Sequence, residues 1–245
     1  RFILFYGVNM QEAEQSDYLY YKTFNEFFTR RLRQGARPID WQEDALVSPV
    51  DGVCGSLGWI RHGSLFQAKG RMYTLRSLLA VSDKDAREFS NGHYMTYYLS
   101  PKDYHRVHMP FAGTLERVSW IPGKLYSVNP SVVEHVDSVF AKNERVVCLF
   151  HTASGKMAVI FVGAMIVGSV TLPWQCAMRS ADRSVTHWDY RGKQLRFSKG
   201  QEIGNFELGS TVIVLTQKDA FSQSVLQEGD AVKMGQMVAR ESASQ

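Results

Sequence analysis

Short apolar runs bounded by glycine or proline dominate the chain from about residue 45 onward. They are rich in β-branched and aromatic residues, and this composition favours strands over helices. The predicted strands cover residues 50–60, 93–99, 114–121, 145–150 and 211–216. Helical patterns are fewer, and they cover residues 74–80, 83–89 and 131–140. The predicted fold class is therefore α+β and mainly β.

The longest uncharged run covers residues 157–178, and its 22 residues are enough to span a bilayer by length alone. Gly163, Gly168 and Pro173 interrupt the run, and Val and Ile dominate its first part. These features favour buried strands joined by a turn over a membrane-spanning helix.

Two sequence similarities bear on the architecture of the core. The segments PVDGVCGSLGWI, from Pro49, and PFAGTLERVSWI, from Pro110, share the pattern P-x-x-G-x6-W-I. Each glycine is predicted to mark a bend at the start of a strand. Residues 228–239 (EGDAVKMGQMVA) resemble the last hairpin of lipoyl- and biotinyl-type carrier folds. Together these features predict a compact, folded-over β-sandwich or barrel core.

Residues 22–37 combine an aromatic stripe with a cluster of cations. On a helix, four apolar residues would share one face, and they are Phe24, Phe27, Phe28 and Leu32. The segment contains five cations and one anion, so it carries a charge equal to the net +4 of the whole protein. Such a helix suits an anionic membrane surface. Alternatively, it packs its stripe on the domain and leaves a solvated basic rim.

We therefore expect residues 1–45 to form an N-terminal membrane-associating segment with amphipathic helices. The chain opens with RFILFYGV and lacks an initiator Met, so this segment is expected to be the end of a longer one. The remaining charges balance, and this argues against a nucleic-acid partner. The composition, with 44% hydrophobic and 21% charged residues, is that of a globular protein. Three cysteines without C-x-x-C spacing support neither a disulfide framework nor a zinc site.

The segment SPKDYHRVHMP, residues 100–110, places His105 and His108 three positions apart. A neutral imidazole is a natural general acid or base near pH 7 when another group orients it. Asp51, just before Gly52, is a candidate for that task, although it also suits a turn in which it binds the following backbone. Both histidines could equally be structural. Metal binding by H-x-x-H finds no further ligands nearby, so no metal is expected.

Gly209 and Ser210 stand immediately before a β-branched run in FELGSTVIV, residues 206–214. Glycine leaves its carbonyl unshielded and tolerates strained backbone angles. The Ser210 hydroxyl can therefore attack the peptide bond that precedes it. The chain has no G-x-S-x-G elbow, Walker A loop or H-E-x-x-H motif, and this excludes the enzyme classes that depend on them.

Taken together, these motifs resemble the proteobacterial family of pyruvoyl-dependent phosphatidylserine decarboxylase proenzymes. The resemblance runs in order along nearly the whole chain. The segments that carry it are FNEFFTR (24–30), Asp51-Gly52, YHRVHMP (104–110), PGKLYSVN (122–129), FAKNERV (140–146), VGAMIVGSV (162–170), KGQEIGNF (199–206) and LGST (208–211).

The resemblance implies a zymogen that cuts itself. Asp51, His108 and Ser210 match the family's triad for autocatalytic cleavage between Gly209 and Ser210. Asp51 would orient His108, and His108 would remove the hydroxyl proton of Ser210. Ser210 would then become a covalent pyruvoyl group, which is the cofactor. His105 matches the residue that protonates the carbon left after decarboxylation.

The resemblance also implies a substrate, a chain organisation and a location. Residues 46–245 would be the catalytic β-rich domain, cut into a large chain ending at 209 and a small chain of 210–245. The enzyme would convert phosphatidylserine to phosphatidylethanolamine and carbon dioxide through a Schiff base, for phospholipid biosynthesis. It would act as a homodimer, peripherally bound to the cytoplasmic face of the bacterial inner membrane.

Two other functions remain open on the residues alone. One is a non-catalytic lipid-binding or carrier-type β-sandwich in which Ser210 never reacts. The other is a serine hydrolase that uses Asp51, His108 and Ser210 on an external ester.

Overall fold

The computed structural model of the chain describes residues 1–164, 170–175, 183–207 and 210–242. Strands dominate these ranges, as the mainly β prediction requires. The strands are β1 (Ala45–Val47), β2 (Gly52–Trp59), β3 (Ser64–Ala68), β4 (Arg71–Thr74), β5 (His93–Leu99), β6 (Arg106–His108), β7 (Gly113–Ile121), β8 (Arg145–Thr152), β9 (Gly155–Gly163), β10 (Val170–Thr171), β11 (Thr186–Asp189), β12 (Arg196–Phe197), β13 (Glu202–Phe206), β14 (Ser210–Thr216), β15 (Phe221–Ser224), β16 (Ala231–Val232) and β17 (Met237–Glu241). The α-helices are short, and they are α1 (Phe2–Tyr6), α2 (Phe24–Phe28), α3 (Leu75–Leu79), α4 (Asp83–Ala86), α5 (Pro130–Val133) and α6 (Val139–Lys142).

The largest sheet contains nine antiparallel strands within the described ranges, and β14 lies in its interior. The strand order is β11–β7–β8–β9–β14–β5–β2–β16, with β12 also on β7. All seven residues of β14 are buried, and the strand pairs along its full length with β9 and β5. Because side chains alternate along a strand, β14 must pack on both faces of the sheet.

Two apolar layers cover the two faces of this sheet. On one face, Val212 and Val214 of β14 join a core with residues of two three-stranded sheets, β1–β17–β15 and β10–β13–β6. On the other face, Ile213 and Leu215 join a core that includes residues of the β3–β4 pair and of helices α3 to α6. This is the folded-over sandwich that the sequence predicts, without a closed barrel in the described part of the chain.

The two repeated segments occupy equivalent places in the large sheet. Gly52 and Gly113 are the first residues of β2 and β7. A Cβ on Gly52 would lie 2.3 Å from the carbonyl oxygen of Tyr98, and one on Gly113 would lie 2.9 Å from that of His151. Both distances are too short for a side chain, so glycine is needed where a neighbouring strand approaches closely.

The uncharged run begins with β9 and includes β10, so its first part forms a buried strand as predicted. Residues 165–169, which include Gly168, and residues 176–178 lie outside the described ranges. Among the residues that the structure describes, no helix has the length and apolar character needed to cross a bilayer.

The predicted helix over residues 22–37 is wrong in its extent. Helix α2 covers only Phe24–Phe28, because Thr23 caps its start and the chain leaves the helix at Thr29. Beyond helix α2, the backbone of residues 31–33 pairs with the backbone of residues 12–14. Glu14 N donates to Arg31 O, and Arg33 N donates to Glu12 O. Tertiary pairing therefore outweighs the helical periodicity of the sequence.

Two other local predictions also need correction. The predicted helix over 131–140 is divided into α5 and α6, because Ser138 adopts a left-handed backbone conformation with φ 54°. The strands β16 and β17 do not form a hairpin with each other. Instead, β16 pairs with β2, whereas β17 lies between β1 and β15. The C-terminal segment thus links the large sheet to one of the small ones.

Candidate active site

Ser210 is the first residue of the central strand β14. It lies opposite Leu99 of β5 and Gly163 of β9, and it is 0% exposed. By the alternation of side chains it shares a face with Val212, so it points into the layer between the large and small sheets. Its Oγ forms no hydrogen bond with any described residue. The hydroxyls of Thr96, Thr211 and Thr216 are also buried without a partner among the described residues, so the position of Ser210 at the predicted cleavage point, rather than its unpaired state, marks it as the candidate reactive group. Its predicted partner Gly209 lies outside the described residues.

His105 is also fully buried and lies just before β6. Its carbonyl accepts a hydrogen bond from Phe206 N, which continues the β6–β13 ladder by one residue. The Nδ1 atom lies 2.9 Å from Asp103 O. Because a carbonyl only accepts, Nδ1 carries the proton and Nε2 holds the lone pair. Nε2 has no partner among the described residues, and burial lowers the pKa of His105 to about 3.

His108 lies on the opposite face of β6 from Val107, because the side chains of adjacent strand residues point to opposite faces. Its Nδ1 lies 2.8 Å from Gly200 O, and its Nε2 lies 2.9 Å from the hydroxyl of Tyr104. Nδ1 therefore donates to Gly200, and Nε2 accepts from Tyr104. Burial lowers the pKa of His108, although the hydrogen bond to Gly200 opposes this effect. His108 is thus a neutral imidazole near pH 7, and its basic nitrogen accepts a hydrogen bond from the Tyr104 hydroxyl.

Asp51 is buried at the start of β2, but its carboxylate does not contact His108. Arg37 Nε donates to both carboxylate oxygens at 2.8 and 3.0 Å, and the backbone N–H of Met234 donates at 2.9 Å. Lys233 Nζ lies 3.4 Å away. Burial alone would raise the pKa of Asp51, but the hydrogen bonds from Arg37 and Met234 hold it below its ordinary value. The expected hydrogen bond from Asp51 to His108 is therefore not present in this structure.

The two residues are nevertheless connected through the backbone. The N–H of His108 donates to the carbonyl of Pro49 at 2.9 Å, two residues before Asp51. The same segment is held by Ser48, which exchanges backbone hydrogen bonds with Gln236 and Gly235. Asp51 and His108 thus belong to one hydrogen-bonded unit.

Arg37 joins this unit to the N-terminal segment. Its side chain is 6% exposed, and its Nη2 binds Glu12 at 2.6 Å while its Nε binds Asp51. These hydrogen bonds, against the opposing effect of burial, raise the pKa of Arg37 above its ordinary value. Because Met234 and Lys233 follow Ser210 in the chain, the Asp51 cluster ties together three parts of the sequence.

Several residues of this site are not predicted by the sequence pattern. Arg37 belongs there to a cluster of cations, and no motif points to Tyr104, Gly200 or Met234. Tyr104 lies beside the histidines in YHRVH, and this proximity is a signal that could have been used. Arg37 is 14 positions from Asp51 in the sequence, and Met234 is 183 positions from it. A local sequence pattern cannot predict contacts between residues so far apart.

In the described part of the chain, no group of three or more His, Cys, Asp and Glu side chains could hold a metal ion. Cys54 and Cys148 are buried free thiols. Cys176 lies outside the described residues.

Comparison with known proteins gives consistent matches. A sequence model described as phosphatidylserine decarboxylase matches residues 24–240. A phosphatidylserine decarboxylase proenzyme of Marinobacter nauticus is 52% identical over 220 residues, which cover 89% of this chain and 77% of that protein. Proenzymes of the same name from Psychromonas ingrahamii and Shewanella amazonensis are 46% and 47% identical. These two matches each cover 98% of this chain, and 84% and 85% of the respective relatives.

Proposed function

The chain belongs to the phosphatidylserine decarboxylase family, and from this premise we propose that it cuts itself before Ser210 and decarboxylates phosphatidylserine to phosphatidylethanolamine. The observation that carries the proposal is the place of Ser210, which is fully buried at the first position of the central strand, directly after the predicted cleavage point. A zymogen that processes itself needs a nucleophile held in a defined place before cleavage.

The surroundings of Ser210 suit the pyruvoyl group that this serine would become. After elimination and hydrolysis, the serine oxygen stays on the carboxylate of residue 209, the nitrogen of Ser210 leaves as ammonia, and a ketone oxygen from water replaces it. The hydroxymethyl side chain becomes a methyl group, so the unpartnered side-chain hydroxyl is removed. The neighbours of Ser210 on its face of the sheet are apolar, with Leu99 directly opposite. Once formed, the group supplies a carbonyl that accepts electrons as the substrate carboxylate leaves as carbon dioxide.

In the cleavage step we assign the base for the Ser210 hydroxyl to His108, as the family motif implies; no hydrogen bond joins the two side chains among the described residues. The lone pair of His108 is on Nε2 and accepts from Tyr104, so the Tyr104 hydroxyl must leave Nε2 before the serine proton can arrive there. The hydrogen bond from Nδ1 to Gly200 fixes the tautomer and the ring orientation. Proton transfer then lets the serine oxygen attack the carbonyl of residue 209 and form an ester in place of the peptide bond.

Asp51 supports His108 as a positioning residue. Arg37 and Met234 hold its carboxylate, and this anchors the segment whose Pro49 carbonyl accepts the N–H of His108. The negative charge of Asp51 also raises the pKa of His108 through space, against the stronger effect of burial. Asp51 thus orients His108 through the backbone rather than through the imidazole.

His105 protonates the carbon that has lost its carboxylate. In the free protein it is neutral, because burial lowers its pKa to about 3. The substrate brings negative charge into the site, and nearby negative charge raises the pKa of an imidazole. Bound substrate therefore favours the acid form of His105.

The small chain of residues 210–245 stays in place after cleavage. It contributes β14, which lies between β9 and β5, and β17, which lies between β1 and β15. Residues 46–245 accordingly form one catalytic domain of two chains, and we expect it to assemble as a homodimer.

Residues 1–45 bring this domain to an anionic membrane surface, where its two-chain substrate resides. Large apolar side chains of this segment are exposed, and they include Leu4, Phe5, Leu19 and Tyr20. Exposed apolar residues beside cations suit the interface of an anionic bilayer. The proposed location is peripheral, on the cytoplasmic face of the bacterial inner membrane.

Intact mass measurement of the purified protein tests this function. Wild-type protein should give a fragment of the 36 residues 210–245 with a blocked N-terminus that borohydride reduces. Ser210→Ala should remain a single chain and release no carbon dioxide from phosphatidylserine. A folded wild-type protein that stays intact would support the lipid-binding alternative, and hydrolysis of esters by intact protein would support the hydrolase.

A further inference from the structure

A cleft of about 550 Å³ lies between the N-terminal segment, the end of α2 and strand β6. Four cationic and two glutamate side chains line the cleft. The cations are Lys22, Arg30, Arg31 and Arg106. Tyr20, which is 63% exposed, forms part of its rim. The cleft is thus positively charged and opens beside the apolar side chains of residues 1–45.

Arg30 differs from the other cations because it is buried without a full set of partners. It is 4% exposed, and its Nη2 donates to Lys102 O at 2.9 Å. Its Nε and Nη1 make no hydrogen bond with any described residue, and the guanidinium lies 5.3 Å from the centre of the Phe27 ring. Arg106, in contrast, binds Glu202 at 2.7 Å and Thr29 O at 2.8 Å. Unpaired donors on a buried cation are costly unless a ligand binds them.

Arg30 is also close to His105. Its Nη2 binds the carbonyl of Lys102, and Nδ1 of His105 binds the carbonyl of the next residue, Asp103. Phe28, two positions before Arg30, contacts the imidazole, with ring centroids 3.9 Å apart. The unpaired guanidinium and the unpaired Nε2 of His105 are therefore held by one short loop and one helix end.

We propose that Arg30 binds the phosphodiester of the phospholipid substrate and thereby places the headgroup beside His105. The proposal rests on the proposed function. The free donors of Arg30, on Nε and Nη1, lie on different edges of the guanidinium, and each can give a charge-assisted hydrogen bond to an anionic oxygen. The phosphodiester is the better match of the two substrate anions, because it is unchanged by the reaction. Binding the carboxylate instead would stabilise the charge that must disappear in the transition state, and this would slow decarboxylation.

Kinetics of Arg30→Met and Arg30→Lys with dihexanoylphosphatidylserine test the proposal. Loss of a contact that is equal in substrate and transition state raises KM and leaves kcat unchanged. For Arg30→Met we expect a KM higher by roughly 10- to 100-fold, the range for a charge-assisted hydrogen bond. Arg30→Lys should fall between this variant and wild type, because an ammonium keeps the positive charge but cannot reproduce the separate donor positions of the guanidinium. Both variants should still cut themselves. Arg76→Met, which changes an exposed arginine paired only with Asp83 among the described residues, should match wild type.

Direct binding separates this proposal from the proposed function. In uncut Ser210→Ala protein, calorimetry with dihexanoylphosphatidylglycerol measures a phosphodiester ligand that has no carboxylate and needs no cleavage. Addition of Arg30→Met or Arg30→Lys to that protein should raise its dissociation constant by the same factor as KM. An unchanged dissociation constant, or a fall in kcat at constant KM, would overturn the role of Arg30, even if the enzyme decarboxylates phosphatidylserine.

Discussion

Asp51 is bound by Arg37 and not by His108. The guanidinium Nε lies 2.8 and 3.0 Å from the two carboxylate oxygens, and both side chains are almost fully buried. The Asp51–His108–Ser210 triad expected from the sequence therefore does not form a continuous chain of side-chain hydrogen bonds. Its first two members are joined instead through the Pro49 carbonyl and the His108 N–H.

Paired substitutions at Asp51 and Arg37 separate positioning from charge neutralisation. Asp51→Ala leaves Arg37 with Glu12 as its carboxylate partner and should lower the free energy of unfolding by roughly 1–3 kcal/mol. Asp51→Ala/Arg37→Met removes both groups and should recover most of that loss. Self-cleavage should be slower than in wild type in both the single and the double variant, because Asp51 no longer holds the segment that contains Pro49. Thermal unfolding and a time course on gels provide the measurements. If the double variant cuts itself at the wild-type rate, Asp51 serves only as a counter-ion for Arg37 and does not position His108.

Alanine substitutions distinguish the two histidines. His108→Ala should leave an uncut precursor, because the proton acceptor for Ser210 is lost. His105→Ala should still cut, at least partly, but release carbon dioxide on the order of 10²- to 10⁴-fold more slowly, the usual contribution of a positioned acid. His62→Ala, at an exposed position, is the control for both assays. Normal cleavage in His108→Ala together with an uncut His105→Ala would reverse the two roles.

Membrane binding is expected to depend on the exposed cations of the N-terminal segment. Arg31→Glu/Arg33→Glu should weaken binding to anionic vesicles, and added salt should weaken binding of wild type, because the Debye length is about 10 Å at 0.1 M salt. Arg30 is left unchanged, because it is buried and contacts the catalytic domain. Vesicle sedimentation measures the effect, and self-cleavage should be retained. If the variant and the wild type bind the vesicles equally, the N-terminal segment only packs on the domain and does not bind the membrane.

The buried histidines should make the fold sensitive to acid. His105 has a pKa of about 3 in the folded protein, against about 6.5 in an unfolded chain. The unfolded state thus binds more protons between these values, so the stability contributed by neutral His105 is lost as the pH falls below about 6.5. The slope is at most about 1.4 kcal/mol per pH unit. His105→Leu should flatten the pH dependence of urea unfolding between about pH 6 and pH 4. Parallel curves for variant and wild type would contradict this assignment.

Much of the fold follows from local patterns. The β-branched runs of β5, β8 and β14 and the glycines that begin β2 and β7 are visible in the sequence, because strand preference and close backbone approach are local properties. Helix α2 is the counterexample. Its periodicity extends past Phe28, but burial of Phe27 and Phe28 and pairing of Arg31 with Glu14 end the helix early.

By itself, the sequence determined which residues are the candidates for the chemistry, since motif order points to His105, His108, Asp51 and Ser210 without a structure, and their roles stay predictions. Only the tertiary structure decided how they are connected. Contacts between residues far apart in the sequence bind His108 to Gly200, and they bind Asp51 to Arg37 and Met234. Burial then lowers the pKa of both histidines, because the low-dielectric interior disfavours the charged imidazole.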